Sequence, residues 1–347
     1  MIAIVIAWAL ATVVMAWGLT ALIRQYAFRR SLVDVPNHRS SHVVPTPRGG
    51  GLAIVLAMLA AWGGMPVLDI GNPGPWGAVG AALVVAIVGF IDDHNQVPAG
   101  LRLLAHVGAA AIIVWELSGL PAMHFASLDL SVAPVGPVLA VLLVAWWVNL
   151  TNFMDGVDGI AGTYVVVVCL AGASLNAVAG NPLPEILGPV ALAAATFGFL
   201  MWNWPPARIF MGDVGSGFVG AMIAVFTLRA GHYSPELGWA WVILAGAFVV
   251  DASVTLFLRM IRRERLSEAH RSHAYQYLAR RWASHRKVTL FWAGATVLWL
   301  FPCALAVASG AVAGWIATVV AYLPLTIVAL LVQRRAAAQT SEMRVTC

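Results

Sequence analysis

The sequence predicts an all-α polytopic membrane protein with about 11 transmembrane helices. Of its 347 residues, 61% are hydrophobic and only 10% are charged, against about 25% charged residues in soluble domains. Long apolar runs recur along the whole chain, and the basic residues are concentrated in every second loop between these runs. A water-soluble protein of this length could not cover its surface with so few charges, so we exclude that class.

Each apolar run is long enough, or nearly long enough, to cross a bilayer, which takes about 20 residues in a helix. The first run has no basic segment before it, so we expect a membrane helix there and not a cleaved signal peptide. The third and eighth runs are short and must extend into their loops. The predicted helices are 2–24, 49–68, 75–91, 102–120, 136–153, 159–179, 185–203, 214–230, 236–258, 288–308 and 311–332.

The basic residues predict the orientation of the chain. If the first helix runs from outside to inside, 19 of the 20 Lys and Arg lie inside, and only Arg229 lies outside. Cytoplasmic loops carry such an excess, so we expect a periplasmic N-terminus and a cytoplasmic C-terminus. We expect residues 1–335 to form a single transmembrane domain with a cytoplasmic loop at 259–287, and 336–347 to form a cytoplasmic tail. The net charge of +5 then favours anionic lipid over nucleic acid as a partner.

Polar residues gather at the helix ends that this topology places in the cytoplasm. Carboxylates at membrane depth are costly and usually functional. A transporter or proton-coupled carrier would need polar groups near the midplane and on both sides, so a site at the inner membrane face is the better interpretation. The five clusters are "PNHRSSHVVPTPRGGG" (36–51), "FIDDHNQVP" (90–98), "NLTNFMDGVDG" (149–159), "ARIFMGDVGSG" (207–217) and "SEAHRSHAYQ" (267–276).

The adjacent carboxylates Asp92 and Asp93 end the third predicted helix. Negative charge at a helix C-terminus opposes the helix dipole. The pair therefore gains most from a nearby cation or from a role in proton transfer. A solvated helix end is the alternative.

Asn149, Asn152 and Asp155 recur at three-residue spacing, which places neighbours on one face of a continuous helix. Oxygen-rich side chains suit Mg²⁺, which takes carboxylates and keeps several waters. The spacing does not match a calcium-binding EF-hand loop. Asp158 fits a cap for the following helix equally well.

Asp213 begins the eighth predicted helix among the glycines of "FMGDVGSG". Backbone amides at a helix N-terminus can hold phosphate, although no Walker pattern follows. The small residues Gly217 and Gly220 are better explained by close helix packing. In the loop 259–287, the cationic and donor groups of His270, Arg271 and His273 suit a diphosphate and a base edge.

Together these motifs resemble the polyprenyl-phosphate N-acetylhexosamine-1-phosphate transferase family of integral membrane enzymes. The resemblance extends from about residue 34 to residue 276. It implies Mg²⁺-dependent transfer of N-acetylhexosamine-1-phosphate from a UDP-sugar to undecaprenyl (polyprenyl) phosphate, with release of UMP. Mn²⁺ is an alternative cofactor. The motifs are "VDVPNHRSSHVVPTPRGGG", "GFIDDHNQVP", "NLTNFMDGVDGIAG", "FMGDVGSG" and "EAHRSHAYQ".

The resemblance also implies a role for each matching residue. Asp92 and Asp93 resemble the family's aspartate pair near the transferred phosphate, and Asp213 with Asn152 resembles its Mg²⁺ site. The enzyme is expected in the bacterial inner membrane with its active site facing the cytoplasm, and a homodimer is compatible with the sequence. The implied substrate-binding residues are Asn149, Asp155, Asp158, His270, Arg271, His273 and Arg102.

Two departures from the family pattern bear on the substrate. Gln96 stands where the aspartate-rich motif often has a third Asp. The segment "HRSHAYQ" replaces the run of three histidines of the muramoyl-pentapeptide enzymes, which favours the branch that starts O-antigen or other surface polysaccharides. A membrane transporter or carrier with a cytoplasmic-side polar site is the alternative function, and a non-catalytic lipid-binding scaffold is a third.

Overall fold

The computed structural model describes residues 1–36, 44–132, 135–265 and 270–345, with side chains to residue 336. Its described part is almost entirely helical, as predicted. Residues 37–43 and 267–269 of the polar clusters lie outside it. The helices are α1 (Ile2–Arg29), α2 (Gly51–Val67), α3 (Trp76–His94), α4 (Ala99–Glu116), α5 (Val135–Met154), α6 (Ile160–Val178), α7 (Leu183–Asn203), α8 (Asp213–Tyr233), α9 (Pro235–Leu244), α10 (Gly246–Ile261), α11 (Ala274–Trp282), α12 (His285–Ala295), α13 (Phe301–Ala308) and α14 (Gly314–Val345).

The predicted count of 11 spans is higher than the count that helix length and composition support. In the described part of the chain, 9 helices are long and apolar enough to cross a membrane, one of them running from α12 through a π-helical turn, Thr296–Leu300, into α13. The pair α9 and α10 is bent by 65° and makes a tenth if it is one span. The remaining predicted span corresponds to α2, which has only 17 residues.

The two short predicted helices do extend into their loops. Helix α3 continues through Asp92 and Asp93 to His94. Helix α8 begins at Asp213 and continues to Tyr233. Both extensions carry polar residues of the clusters, so these carboxylates belong to helix ends and not to free loops.

Helix α8 forms the centre of the bundle and is almost completely buried. Small residues allow its neighbours to come close: a Cβ on Gly89 of α3 would lie only 2.3 Å from the carbonyl oxygen of Asp213. Added Cβ atoms on Gly217 and Gly220 would lie 2.7 Å from Val85 Cγ1 and from the Trp147 carbonyl oxygen, respectively. The packing role predicted for these two glycines is thus confirmed, as expected where helices associate in lipid through small residues.

Two short antiparallel hairpins complete the fold. Strands β1 (Val33–Asp34) and β2 (Thr46–Pro47) pair beside the polar helix ends, and β3 (His124–Phe125) pairs with β4 (Leu128–Asp129) in the loop after α4. The chain after β2 then runs beside the segment before α8, because the Phe210 amide donates to the Pro47 carbonyl oxygen at 2.8 Å. The first polar cluster is thereby attached to the fourth.

Single introduced cysteines test the predicted topology, in a background that lacks the three natural cysteines. We expect an impermeant maleimide to label positions Asn72 and Pro182 in intact cells, because loops poor in basic residues are translocated. Positions Ala99 and Ser284 should react only after permeabilisation. Labelling of Ser284 in intact cells would contradict a single cytoplasmic polar face.

Candidate active site

A cleft of about 910 Å³ opens at the polar end of the bundle, among α3, α4, α5, α8 and α10. Four of the five polar clusters contribute to it, although they are far apart in the chain. Seven of the predicted site residues therefore meet around one space. They are Asp92, Arg102, Asn149, Asn152, Asp213, His270 and His273.

The Asp93 carboxylate binds the backbone amides at the start of α8. Its Oδ1 accepts the amide hydrogen of Asp213 at 3.1 Å, and its Oδ2 accepts that of Val214 at 3.2 Å. A carboxylate satisfies the unpaired amides of a helix N-terminus and opposes the positive end of its dipole. Gly212 is needed next to it, because its φ is +75° and a Cβ there would lie 2.5 Å from Asp93 Oδ2. Asp93 is buried and does not line the cleft.

The N-terminal amides of α8, which at other helix starts can hold phosphate, are already bonded in this structure. The first two are bonded to Asp93. The next two, of Gly215 and Ser216, donate to the carbonyl oxygen of Gly212 at 3.1 and 3.0 Å. Phosphate binding at this point of the cleft must therefore depend on side chains.

Arg102 joins the carboxylates on the two helix ends. Its Nη1 lies 2.7 Å from Asp92 Oδ2 and 2.8 Å from Asp213 Oδ2. The other oxygen of Asp92 accepts the amide hydrogen of Val97 at 2.6 Å. Charge-assisted bonds of this kind are the stronger hydrogen bonds in proteins. Arg102 thus keeps two like charges together at the cleft wall.

Arg48 supplies a second cation that the sequence did not single out. Its Nη1 lies 4.0 Å from Asp93 Oδ1, and its Nη2 lies 3.6 Å from Asp34 Oδ1. The tract "PTPRGGG" in the first cluster was the available signal. Only the pairing of the 46–51 region with the segment before α8 shows that Arg48 belongs beside the aspartates.

Asn149 and Asn152 face the cleft from α5, as their spacing predicted. The amide nitrogen of Asn149 donates to the Ala145 carbonyl oxygen at 2.7 Å, and its Oδ1 lies 3.4 Å from His106 Nδ1. The amide nitrogen of Asn152 donates to Ser216 Oγ at 3.1 Å. The side-chain oxygen of Asn152 takes no part in that bond.

Asp155 departs from the predicted series because α5 ends at Met154. It is half-buried, does not line the cleft, and its carboxylate has neither a hydrogen bond nor an ion pair within the described residues. Burial raises its pKa well above the usual range, and the nearby charges of Asp213 and Asp93 add to that effect. Ionisation of Asp155 is therefore unfavourable in the folded protein.

Asp158 lies apart from the cleft and does not cap α6, whose N-terminus has no side-chain cap. Its Oδ2 accepts the amide hydrogen of Ala207 at 3.0 Å and lies 3.2 Å from His285 Nδ1. It lines a second cavity of about 510 Å³, together with Arg280 and Arg286. The alternative of a helix cap is thus not what the structure shows.

His273 and His270 form the far wall of the cleft. The ring of His273 is stacked against Phe153 with centroids 6.3 Å apart, and the His270 ring lies 4.9 Å away. His270 Nδ1 is 2.9 Å from Ser272 Oγ. Arg271, which the sequence grouped with them, is exposed and does not line the cleft.

Asp251 fixes the start of α11, which follows the two histidines. The fully buried carboxylate accepts the amide hydrogens of Ala274 and Tyr275, both at 2.9 Å. The Tyr275 hydroxyl donates to the Phe153 carbonyl oxygen at 2.9 Å. Burial, followed by the charge of Asp251, raises the pKa of Tyr275 well above its usual range, so the hydroxyl stays a donor.

Among the lining residues that the sequence did not identify as site residues, three carry His, Tyr or Gln side chains. They are His106, Tyr275 and Gln276. His106 lies one turn after Arg102 on the same face of α4, which was a usable signal. Tyr275 and Gln276 offered none, because their position depends on how α11 docks.

The other part of the cleft is apolar and faces the surroundings of the bundle. Leu103 of α4 and Leu142 of α5 are 52% and 58% exposed, and both line the cleft. Trp146 and Leu256 continue this lining. Exposed apolar side chains on spanning helices contact lipid, so the cleft joins a charged region to the hydrocarbon layer.

No group of three or more His, Cys, Asp or Glu side chains is arranged to hold a metal ion within the described residues. The acidic side chains at the cleft instead lie beside arginines. A metal ion would need other ligands in addition to the protein.

Comparisons with known proteins identify relatives that match most of the chain. A model described as glycosyl transferase family 4 matches residues 75–231. The chain is 30% identical to a probable undecaprenyl-phosphate N-acetylglucosaminyl 1-phosphate transferase of Bacillus subtilis, over 84% of this chain and 81% of that protein. It is 30% identical to a decaprenyl-phosphate N-acetylglucosaminephosphotransferase of Mycobacterium tuberculosis, over 79% and 76%.

A third relative carries a different name. The chain is 32% identical to a phospho-N-acetylmuramoyl-pentapeptide-transferase of Saccharopolyspora erythraea, over 74% of this chain and 82% of that protein. All three relatives are named as transferases. They favour the enzyme over the transporter and the lipid-binding scaffold.

The isolated carboxylate of Asp155 predicts a pH-dependent stability. Because its folded pKa is raised, the stability it costs should grow as pH rises from about 4, the value for an unfolded Asp. We expect Asp155→Asn to raise the thermal midpoint relative to the parent at pH 8, and the difference to shrink towards pH 4.

Thermal unfolding of detergent-solubilised protein across this pH range measures the effect. Asp69→Asn, in an exposed loop after α2, is the matched control and should follow the parent. A difference in thermal midpoint between the Asp155 variant and the parent that does not change with pH would contradict a raised pKa of Asp155.

Proposed function

The chain belongs to glycosyl transferase family 4 and is a polyprenyl-phosphate sugar-1-phosphate transferase; from this premise we propose that it transfers N-acetylhexosamine-1-phosphate from a UDP-sugar to undecaprenyl phosphate or a related polyprenyl phosphate. UMP is the second product. The names of the two relatives that act with N-acetylglucosamine support UDP-N-acetylglucosamine as the first donor to test.

The observation that carries this proposal is the composition of the cleft. One region is lined by carboxylates, carboxamides, histidines and Arg102, and the other by lipid-facing leucines. A nucleotide sugar is water-soluble, whereas a polyprenyl phosphate has its chain in the bilayer and its headgroup at the interface. A cleft that joins both environments can bring these substrates together.

In the proposed reaction, an oxygen of the lipid phosphate attacks the β-phosphorus of the UDP-sugar. The bond between this phosphorus and the oxygen that bridges to the α-phosphate breaks, and UMP leaves with the electron pair. A phosphate monoester is largely a dianion at pH 7 because its second pKa is about 6. The lipid phosphate can therefore attack without a base, and an aspartyl-phosphate is not required.

This chemistry assigns different tasks to the two adjacent aspartates. Asp92 lines the cleft and is bonded to Arg102, so it orients the guanidinium that receives a phosphate. Asp93 holds the start of α8 and thereby positions Asp213. His270 and His273 on the opposite wall contribute donors to the diphosphate or the sugar.

The family is generally metal-dependent, and the donor set of the cleft fits Mg²⁺. Asp213 and Asn152 offer oxygen ligands, and Mg²⁺ needs few protein ligands when phosphates and water complete its octahedron. When bound, the ion neutralises charge on the diphosphate. Mn²⁺ has similar ligand preferences.

We place the enzyme in a bacterial inner membrane with the cleft on the cytoplasmic side, where nucleotide sugars are made. Its product would start a lipid-linked surface polysaccharide of the O-antigen type. The segment "HRSHAYQ", which lacks three consecutive histidines, supports this branch over the peptidoglycan branch.

Reconstitution tests the substrates. We expect purified protein with undecaprenyl phosphate and Mg²⁺ to release UMP from a UDP-N-acetylhexosamine and to form a lipid-linked diphosphate sugar, because attack at the β-phosphorus transfers the sugar-1-phosphate and displaces UMP. UDP-glucose and UDP-N-acetylmuramoyl-pentapeptide complete the panel. Turnover of the pentapeptide donor alone would overturn the proposed branch, and no turnover of any UDP-sugar would overturn the reaction.

Metal titrations test the proposed ligands. We expect Asp213→Ala to lower turnover about 100-fold or more, because it removes a charged ligand. Asn152→Ala should raise the Mg²⁺ concentration for half-maximal rate about tenfold. Asp92→Asn should lower the rate with little change in that concentration, and Asp129→Asn, in strand β4 outside the cleft, serves as the control.

The same titrations can contradict the proposed metal ligands. If the Asp213 and Asn152 variants keep the parent's rate and its Mg²⁺ dependence, neither residue is a metal ligand. Isothermal titration calorimetry of Mn²⁺ with the parent and with the Asp213 variant measures metal binding without depending on turnover.

A further inference from the structure

A chain of buried polar side chains connects the last helix with the histidine wall of the cleft. Gln333 of α14 donates from Nε2 to Thr255 Oγ1 at 3.0 Å. Thr255 of α10 then donates from Oγ1 to Asp251 Oδ1 at 3.2 Å. The donors and acceptors follow one direction, from Gln333 to Asp251.

Every branch of this chain ends on the backbone next to the cleft histidines. Asp251 accepts the amide hydrogens of Ala274 and Tyr275. Gln333 also donates to the carbonyl oxygen of Ser272. The backbone on both sides of His273 is thus held by side chains from two membrane helices.

The burial of these side chains indicates that their bonds are needed. Asp251, Thr255 and Gln333 are 0%, 1% and 5% exposed. A polar group away from water is costly unless it is hydrogen-bonded, and more so at membrane depth. A helix-packing role alone would be served by apolar residues of similar shape without this cost.

The ring of His273 responds to the position of this backbone. It is 2% exposed and lies between Phe153 and His270. Its Nδ1 is 3.4 Å from Asp251 Oδ1, and the side chain caps α11 by accepting the backbone amide hydrogen of Gln276. The orientation of the ring therefore depends on where residues 272–275 are held.

We propose that Thr255 and Gln333 are positioning residues for the transfer reaction: through Asp251 and Ser272 they fix the start of α11 and set the histidine wall at the distance that the UDP-sugar requires. This rests on the role given to His270 and His273 in the proposed function. Neither positioning residue lies within the matched family region, 75–231.

Matched substitutions separate the hydroxyl and amide bonds from side-chain volume. Thr255→Val removes the hydroxyl and keeps the shape, whereas Thr255→Ser keeps the hydroxyl. Gln333→Met removes the amide and keeps the length. Thr318→Val is the control, because Thr318 also lies on α14 but bonds only to the Gly314 carbonyl oxygen, far from the cleft.

Hydrogen–deuterium exchange of residues 272–277 in detergent is the first measurement. Loss of one hydrogen bond costs about 1 kcal/mol, so we expect about fivefold faster exchange in Thr255→Val and Gln333→Met. The KM for the UDP-sugar should rise by about the same factor, with a smaller change in kcat. Thr255→Ser and Thr318→Val should resemble the parent in both measurements.

Three results would overturn the proposal. One is parent-like exchange and KM in both Thr255→Val and Gln333→Met, and another is a Thr255→Ser variant as impaired as Thr255→Val. The third is an equal effect of Thr318→Val, which would indicate general destabilisation of the bundle. Exchange is measured without substrate, so it tests the positioning even if the parent turns over no UDP-sugar, which would count against the proposed function instead.

Discussion

The capping of α8 by Asp93 is the interaction on which the rest of the cleft depends. Two hydrogen bonds, worth about 0.5–1.5 kcal/mol each, attach the end of α3 to the start of the most buried helix. Gly89 and Gly212 leave the space for this approach. Only then does Asp213 lie close enough to Asp92 for a single nitrogen of Arg102 to contact both.

The consequences of this attachment reach the other walls of the cleft. Ser216, one turn into α8, receives the bond from Asn152 and so sets the face of α5. Phe153 on α5 then contacts both the ring of His273 and the hydroxyl of Tyr275. The acidic and histidine walls are therefore parts of one packed unit, and a shift of α8 would change the distance between them.

Hydropathy and residue spacing predicted the helices and much of the cleft, because both depend on local sequence. The shared face of Asn149 and Asn152 follows from helix periodicity. Asp92 and Asp93 could not be separated in this way: consecutive helix residues point about 100° apart, and only the packing of α8 decides which one reaches the cleft. Asp158 likewise takes its partner, His285, from 127 residues away.

The polar residues of this membrane protein fall into two groups, those with an ion pair or hydrogen bond and those without. The one basic residue predicted outside, Arg229, is paired with the buried Glu185 and with the Pro73 carbonyl oxygen, so its charge is neutralised locally. Asp93 and Asp251 each accept two backbone amide hydrogens. Among the predicted carboxylates, only Asp155 has neither a hydrogen bond nor an ion pair in the described part of the chain, and it follows the helix that lines the cleft proposed to accept phosphates. An ionised group there would repel anionic substrates, and the raised pKa of Asp155 limits that repulsion.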